Sequence, residues 1–283
     1  MTSVKTRMKK MAEATKFLLA HPYESMVAVH HCRYEHEMLV KEKSGYAPLR
    51  EIELKNILGG DIPRVLSSYL GGGSTALDYA LLKGVCEQCA NEYGEGADVD
   101  YLEIGTWRGE SIINVMNLDC VRSAYSITLD ESKYTDERTK RSINFFINAQ
   151  RDKYKDKFRQ IFADSMSFDF DSLGKKFDVI FIDGDHSYDA ILSDSRNALK
   201  LLKNKNSVIV WQDYTNNAES GASEIRMDTL AALREAIPAE EQQYLYRVRN
   251  TLCAIYMRKK METTGDLTPT FLFEAEIKAR PIL

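Results

Sequence analysis

Acidic and hydroxyl side chains recur at five places after residue 100, each directly following an apolar run. The first is Glu103-Ile104-Gly105-Thr106-Trp107-Arg108-Gly109-Glu110-Ser111, the second Thr128-Leu129-Asp130 and the third Ala163-Asp164-Ser165. Asp183-Gly184-Asp185-His186 and Gln212-Asp213-Tyr214 complete the set. One acidic residue after a strand is commonly only a helix cap. Five in succession describe a row of polar groups along one edge of a sheet, where open α/β sheets bind their ligands. Carboxylates attract cations, so Glu103 is poorly placed for a pyrophosphate. The dinucleotide fingerprint G-x-G-x-x-G needs a second glycine for close approach of backbone to phosphate, and Trp107 stands there. Both facts count against the alternative of an NAD(P)-dependent oxidoreductase.

A donor with an ammonium group and no phosphate suits this loop better. S-adenosylmethionine (SAM) has such an amine, a ribose diol and an adenine. Asp130, 25 residues after Gly105, is expected to accept both ribose hydroxyls, and Asp164 to accept the adenine amine. Glu103, Gly105, Thr106 and Ser111 form the loop that would hold the rest of the donor. His186, three residues past Asp183, is the candidate general base, because a neutral hydroxyl must lose its proton as it attacks. Asp185 and Asp189 are its expected orienting partners, and their charges would favour the protonated ring, which works against a base. The bland alternative is that His186 caps the following helix. Trp211 and Tyr214 are expected to shape the acceptor wall.

These residues require a frame. Apolar runs predict strands at 99–104, 123–129, 158–162, 177–182 and 207–211. Helical patterns lie between them, at 109–118, 138–151, 190–203 and 220–236, the last stopped by Pro238. The runs 244–248 and 252–257 flank the turn Arg249-Asn250-Thr251 and read as an antiparallel hairpin. Alternating strands and helices imply a parallel sheet. The expected fold is α/β, a Rossmann-like and mostly parallel sheet with an antiparallel C-terminal hairpin, preceded by a mainly helical region. Three parts are expected: a substrate-covering region over 1–95, a donor-binding domain over 96–260, and a tail over 261–283 whose Phe271, Leu272 and Phe273 could pack on a neighbouring subunit.

Two features of the front region invite chemistry. Four of the five histidines fall at 21, 30, 31 and 36, but adjacent His30 and His31 diverge on a helix and no carboxylate pattern closes a metal set. Gly59, Gly60, Gly71, Gly72 and Gly73 bracket 63–70 and read as a hinge or linker. Cys86-Glu-Gln-Cys89 spells C-x-x-C, yet it lies inside the helical face Leu77, Leu81, Val85, Cys89, Tyr93, so neither redox nor zinc chemistry is expected. Five scattered cysteines fit a reducing compartment. The chain has 38 basic and 42 acidic residues, a net charge of −4, which argues against a nucleic-acid partner. Glu13 and Lys16 interrupt the only apolar stretch near the N-terminus, so neither a secretory signal nor a membrane partner is expected. The expectation is a cytoplasmic protein, with a homodimer the default if it oligomerises.

LEIGTWRGES, SITLD, FADS, FDVIFIDGDHSYDAILSDSRNALKLL and VIVWQDY together resemble the class I SAM-dependent methyltransferases. The IDGDHSY segment is most similar to the branch containing macrocin and other antibiotic-sugar O-methyltransferases, and more distantly to the catechol O-methyltransferases. The resemblance covers about residues 96–258 and implies a seven-stranded sheet whose last hairpin is antiparallel. It implies that Glu103, Gly105 and Asp130 meet the methionine and ribose parts of SAM, that Asp164 and Ser165 meet the adenine, and that Asp183 lies near the methyl group. In metal-dependent relatives Mg2+ is held by the counterpart of Asp183 and by two adjacent ligands after the fifth strand. Here those are Gln212 and Asp213, so one charge is missing, and Asp183 with Asp213 would carry the ion. The implied activity is methylation of a hydroxyl on a small molecule, a natural product or sugar-like acceptor. A non-catalytic binding module on the same fold is the other alternative.

Overall fold

The computed structural model describes residues 48–59, 74–94, 97–135, 137–216 and 225–264. The histidines at 21–36, the glycines at 60–73, the start of the expected 220–236 helix and the apolar tail lie outside the described residues. Eight strands form one sheet: β1 (Arg50–Ile52), β2 (Val99–Ile104), β3 (Val121–Thr128), β4 (Phe158–Phe162), β5 (Val179–Ile182), β6 (Val208–Trp211), β7 (Leu245–Val248) and β8 (Ala254–Met257). Their spatial order is β1-β7-β8-β6-β5-β2-β3-β4. Strands β2 to β6 run parallel, and β8 is antiparallel to both β6 and β7. The described helices are α1 (Leu54–Leu58), α2 (Ala76–Tyr93), α3 (Glu110–Met116), α4 (Glu137–Ser142), α5 (Phe145–Ala149), α6 (Arg151–Tyr154), α7 (Tyr188–Leu201) and α8 (Met227–Ala236). None is long and apolar enough to cross a membrane.

Alternation along the strands divides the core in two. Val99, Tyr101, Val179, Phe181, Val208 and Val210 point to the face covered by α1, α2, α3 and α5. Leu102, Ile104, Ile180, Ile182, Ile209 and Trp211 point to the face covered by α7 and α8. β5 is buried along its whole length, as a central parallel strand must be when helices cover both faces. Each such side chain contributes about 1.5–3 kcal/mol of burial free energy.

Four differences from the sequence-based expectation have local causes. The sheet has eight strands, because Arg50–Ile52 pairs in parallel with β7. This three-residue edge strand is too short and too charged to show a period. Buried Arg247 accounts for it, donating to Glu51 at 2.7 Å. Second, residues 48–59 and 74–94, expected to form a separate region from the sheet domain, share the core of the sheet through Ile52, Leu54, Ile57, Leu81 and Val85. Third, the expected 138–151 helix is three short pieces, broken where Asn144 adopts φ 57° and donates its backbone N–H to the Trp107 carbonyl at 2.7 Å. Last, Ile225 pairs with Thr215, so the helix expected from 220 starts at Met227.

The close approach of two strand ends sets the most demanding backbone position. Asp183 donates its N–H to the Ile104 carbonyl at 2.8 Å, which draws the loop after β2 across the end of β5. A Cβ on Gly105 would lie 2.1 Å from the Asp183 carbonyl oxygen, and its φ is +91°. Gly174 also has positive φ, +58°, but has open space around it. Gly174→Ala should therefore cost only the left-handed strain, about 1–2 kcal/mol, whereas Gly105→Ala should cost well over that, about 3 kcal/mol or more. Urea denaturation of the two variants checks the contrast.

Candidate active site

β2 is flanked by β3 on one side and β5 on the other, so the chain leaves the sheet centre in both directions at this point. The crevice such a switch point opens at the strand ends is the expected ligand position. Glu103 lies in it with no exposed surface. Its Oε2 accepts from the Tyr101 hydroxyl at 3.2 Å, Ser111 and Thr106 also bond to the carboxyl, and Oε1 has no hydrogen-bond partner. Burial raises its pKa to about 8 against those bonds. Thr106 is anchored in turn by a hydroxyl–hydroxyl contact with Ser126 on β3.

Asp183 follows β5. Its pKa is raised well above the carboxylate range by desolvation and then by Asp213, Glu103, Asp78 and Glu110. Glu110, at the start of α3, is also raised by burial, although Arg108 lies 3.1 Å from its Oε1. Asp78 completes the acidic group from α2. Its Oδ2 accepts from Thr75 N–H in a capping box and its Oδ1 accepts from Leu252 N–H at 2.8 Å. Tyr79 adjoins the same acids, and burial with the charge of Glu110 raises its pKa. No cation among the described residues lies against Glu103 or Asp183, so the crevice holds carboxyls with an unmet demand for positive charge.

The remaining expected donor residues are more open. Asp130 accepts from Ser132 N–H at 2.9 Å through Oδ1, which fixes its turn and lowers its pKa. It stays an ionised acceptor at the end of β3. Asp164 is exposed after β4, with Oδ1 accepting from Met166 N–H at 3.0 Å. Ser165 lies against buried Asp194 of α7, whose pKa burial raises to about 7.

His186 does not take the partners expected of it. Its Nε2 lies 3.2 Å from Asp213 Oδ2, while Asp185 accepts from Ser187 N–H and shapes the turn into α7. The same Asp213 oxygen lies 3.3 Å from Arg226 Nη1. Asp183, His186 and Asp213 converge, with one ligand-type atom of each within 4.8 Å of the others. Although 37% of the His186 side chain is exposed, burial and then the nearby Arg226 charge hold its pKa below the usual value, outweighing Asp213. The ring is therefore neutral at pH 7, opposite to what its acidic neighbours in sequence suggest. Arg226 escaped the sequence reading, because nothing in the segment after β6 signals a contact 13 residues back.

Two expected acceptor-wall residues are core residues instead. Trp211 is 1% exposed and donates from Nε1 to Ser195 Oγ at 2.9 Å. Tyr214 is fully buried and accepts from Leu49 N–H at 3.1 Å. Strand alternation turns Trp211 to the face away from α2, and Tyr214 secures the start of β1. Cys86 and Cys89 are free and buried, and burial pushes the Cys89 thiol up to about 12, which suits neither zinc nor redox work.

Of the Mg2+ set implied by resemblance, Asp183 and Asp213 come together with His186, and Gln212 does not join them. Gln212 turns its Oε1 to the Cys253 thiol at 3.1 Å, and its Nε2 has no partner. Asp213 Oδ2 lies 3.2 Å from His186 Nε2 and 3.3 Å from Arg226 Nη1. Mg2+ demands near-octahedral oxygen ligation, and what converges here is two carboxylates and one imidazole beside a fixed positive charge.

Residues 102–214 match the model of a methyltransferase domain family. That stretch runs from β2 through the fifth parallel strand and holds the loops just described. Over that stretch the chain is similar to a methyltransferase domain. A curated relative, the uncharacterized protein R132 of Acanthamoeba polyphaga mimivirus, is 28% identical over 131 residues, 46% of this chain and 58% of the relative. The chain thus spans little more than half the length of that relative. Among solved structures, an O-methyltransferase from Bacillus cereus in complex with SAH is 18% identical, covering 62% of this chain and 80% of its own with a TM-score of 0.38. The cofactor-bound Rv0187 from MTB is 17% identical, covering 65% and 81% with a TM-score of 0.42. Spermidine synthase from Thermotoga maritima is 14% identical, covering 62% and 56% with a TM-score of 0.40.

The raised pKa of Glu103 has a consequence for stability. The folded state retains a proton that the unfolded chain loses near its ordinary 4.5. The cost of the buried charge is absent below that value, grows as pH rises, and is complete above about 8. Glu103→Gln should flatten the decline of thermal stability between about pH 5 and 9 and be the more stable protein at the alkaline end. Melting curves of both proteins across that range check the sign.

Proposed function

We propose that the protein transfers the methyl group of SAM to a hydroxyl oxygen of a small molecule. The observation that carries this reading is the pair of desolvated carboxyls, Glu103 and Asp183, that no cation among the described residues neutralises. A pyrophosphate would be repelled there, which disfavours a nicotinamide dinucleotide. When bound, SAM supplies an electrophilic methyl group on a sulfonium. Glu103 would hold the ammonium group, with Thr106 and Ser111 fixing the carboxyl's orientation. Asp130 would accept the ribose hydroxyls, and Asp164 with Ser165 would border the adenine. Asp183 would stand at the reacting end and favour positive charge there.

Methyl transfer is an in-line displacement with a good leaving group, so alignment and proton removal are the work left to the protein. Neutral His186 supports an oxygen acceptor. A ring nitrogen of His186 can take the hydroxyl proton as the oxygen attacks, and the resulting imidazolium would be stabilised by the Asp213 carboxylate, 3.2 Å from Nε2. A natural product or sugar-like alcohol fits this chemistry. Binding of S-adenosylhomocysteine (SAH) tests the donor half. Wild type should bind it, and Asp130→Ala should weaken binding by about tenfold, or 1.4 kcal/mol. Absence of calorimetric heat at millimolar SAH would remove the proposal. For the acceptor half, His186→Ala should leave SAH affinity within about twofold and lower methyl transfer to a polyhydroxylated acceptor by about a hundredfold or more. An equal loss of both would assign His186 to donor binding.

A further inference from the structure

We infer that the guanidinium of Arg226 stands in place of a divalent metal, so that Asp213 is held and neutralised by the protein itself. The inference rests on the methyltransferase reading and on four contacts. Arg226 Nη1 lies 3.3 Å from Asp213 Oδ2, the oxygen that also lies 3.2 Å from His186 Nε2. Asp213 itself is pinned in a left-handed conformation, φ 56°, with its carbonyl accepting from the Thr229 hydroxyl of α8 at 3.4 Å. Gln212, beside it, points its carbonyl oxygen at Cys253 and not at Asp183. An ion held by Asp183, His186 and Asp213, whose ligand-type atoms lie within 4.8 Å of one another, would have to sit close to the fixed positive charge that Arg226 places on Asp213 Oδ2. An arginine is always charged and cannot be removed by a chelator. Arg226 thus makes Asp213 an internal counter-ion that orients His186. It leaves Asp183 as the carboxyl available to the donor's sulfonium end. Arg226 is a positioning residue, acting through Asp213 on His186.

The test is Mn2+ electron paramagnetic resonance on the full chain, in which bound ion is lost from the free six-line signal. Wild type should leave the Mn2+ signal unchanged, and its SAH affinity should be the same in EDTA and in millimolar Mg2+ or Mn2+. Arg226→Gln should admit Mn2+, and Arg226→Lys, keeping the charge, should exclude it. Saturable Mn2+ binding by wild type that Asp183→Asn abolishes would overturn the inference, as would an Arg226→Gln protein that folds, binds SAH and takes up no Mn2+. Should Arg226→Gln not fold, the wild-type and Arg226→Lys spectra still decide. A wild-type protein that fails to bind SAH at all would instead contradict the methyltransferase reading, so the two failures are distinct.

Discussion

The arrangement depends on two carboxyl groups, Glu103 and Asp183, that the fold removes from water and that no cation among the described residues meets. Taking an ionised carboxylate out of water costs several kcal/mol unless it is paired, and a protein that only needed stability would place leucine or glutamine at position 103. Glu103 is instead wholly buried, bonded on one oxygen and unpartnered on the other. Around it stand Asp183, Glu110 and Asp78, and after burial the neighbouring acids raise the pKa of Asp183 further. Such a crevice is stable when protonated and becomes a binding site when a positively charged molecule enters. Under the proposed function, the cost of these buried carboxyls would be recovered as affinity for a cation and would disfavour phosphate.

Topology brings the groups together. Parallel strands all point their C-terminal ends to one side, so residues far apart in sequence share one crevice. The end of β2 and the end of β5 touch through the Asp183 N–H to Ile104 carbonyl bond. That contact places Glu103 and Asp183 in one crevice and leaves no room for a side chain on Gly105. Glycine here answers a steric demand of the protein's own backbone, before any ligand is considered. On the next strand outward, β6 delivers Asp213 opposite His186, and α8 returns Arg226 to the same carboxylate.

Much of this was legible in the sequence because strand-forming runs end in the residues that matter. Five apolar runs located the parallel strands, and the hairpin showed in two runs separated by Arg249-Asn250-Thr251. The period of Leu77 through Tyr93 placed Cys86 and Cys89 inside a helix. What could not be read was long-range pairing. His186 has two acidic neighbours in sequence, yet its partner is Asp213, presented by another strand. Trp211 and Tyr214 sit beside the site in sequence, but the period of two carries Trp211 to the opposite face and Tyr214 into the core. β1 was hidden because three residues with two charges carry no period, and its evidence lies almost 200 residues away in buried Arg247.

Proton counting tests the central claim most directly. Glu103, with a pKa raised to about 8, holds its proton at pH 7 until an ammonium group arrives and favours the ionised form. Calorimetric titration with SAH at pH 7 in buffers of different ionisation enthalpy should therefore register release of about one proton per molecule bound, and the release should vanish in Glu103→Gln. Tight binding with no proton released would mean that the buried carboxyl is not where the donor's positive charge is received.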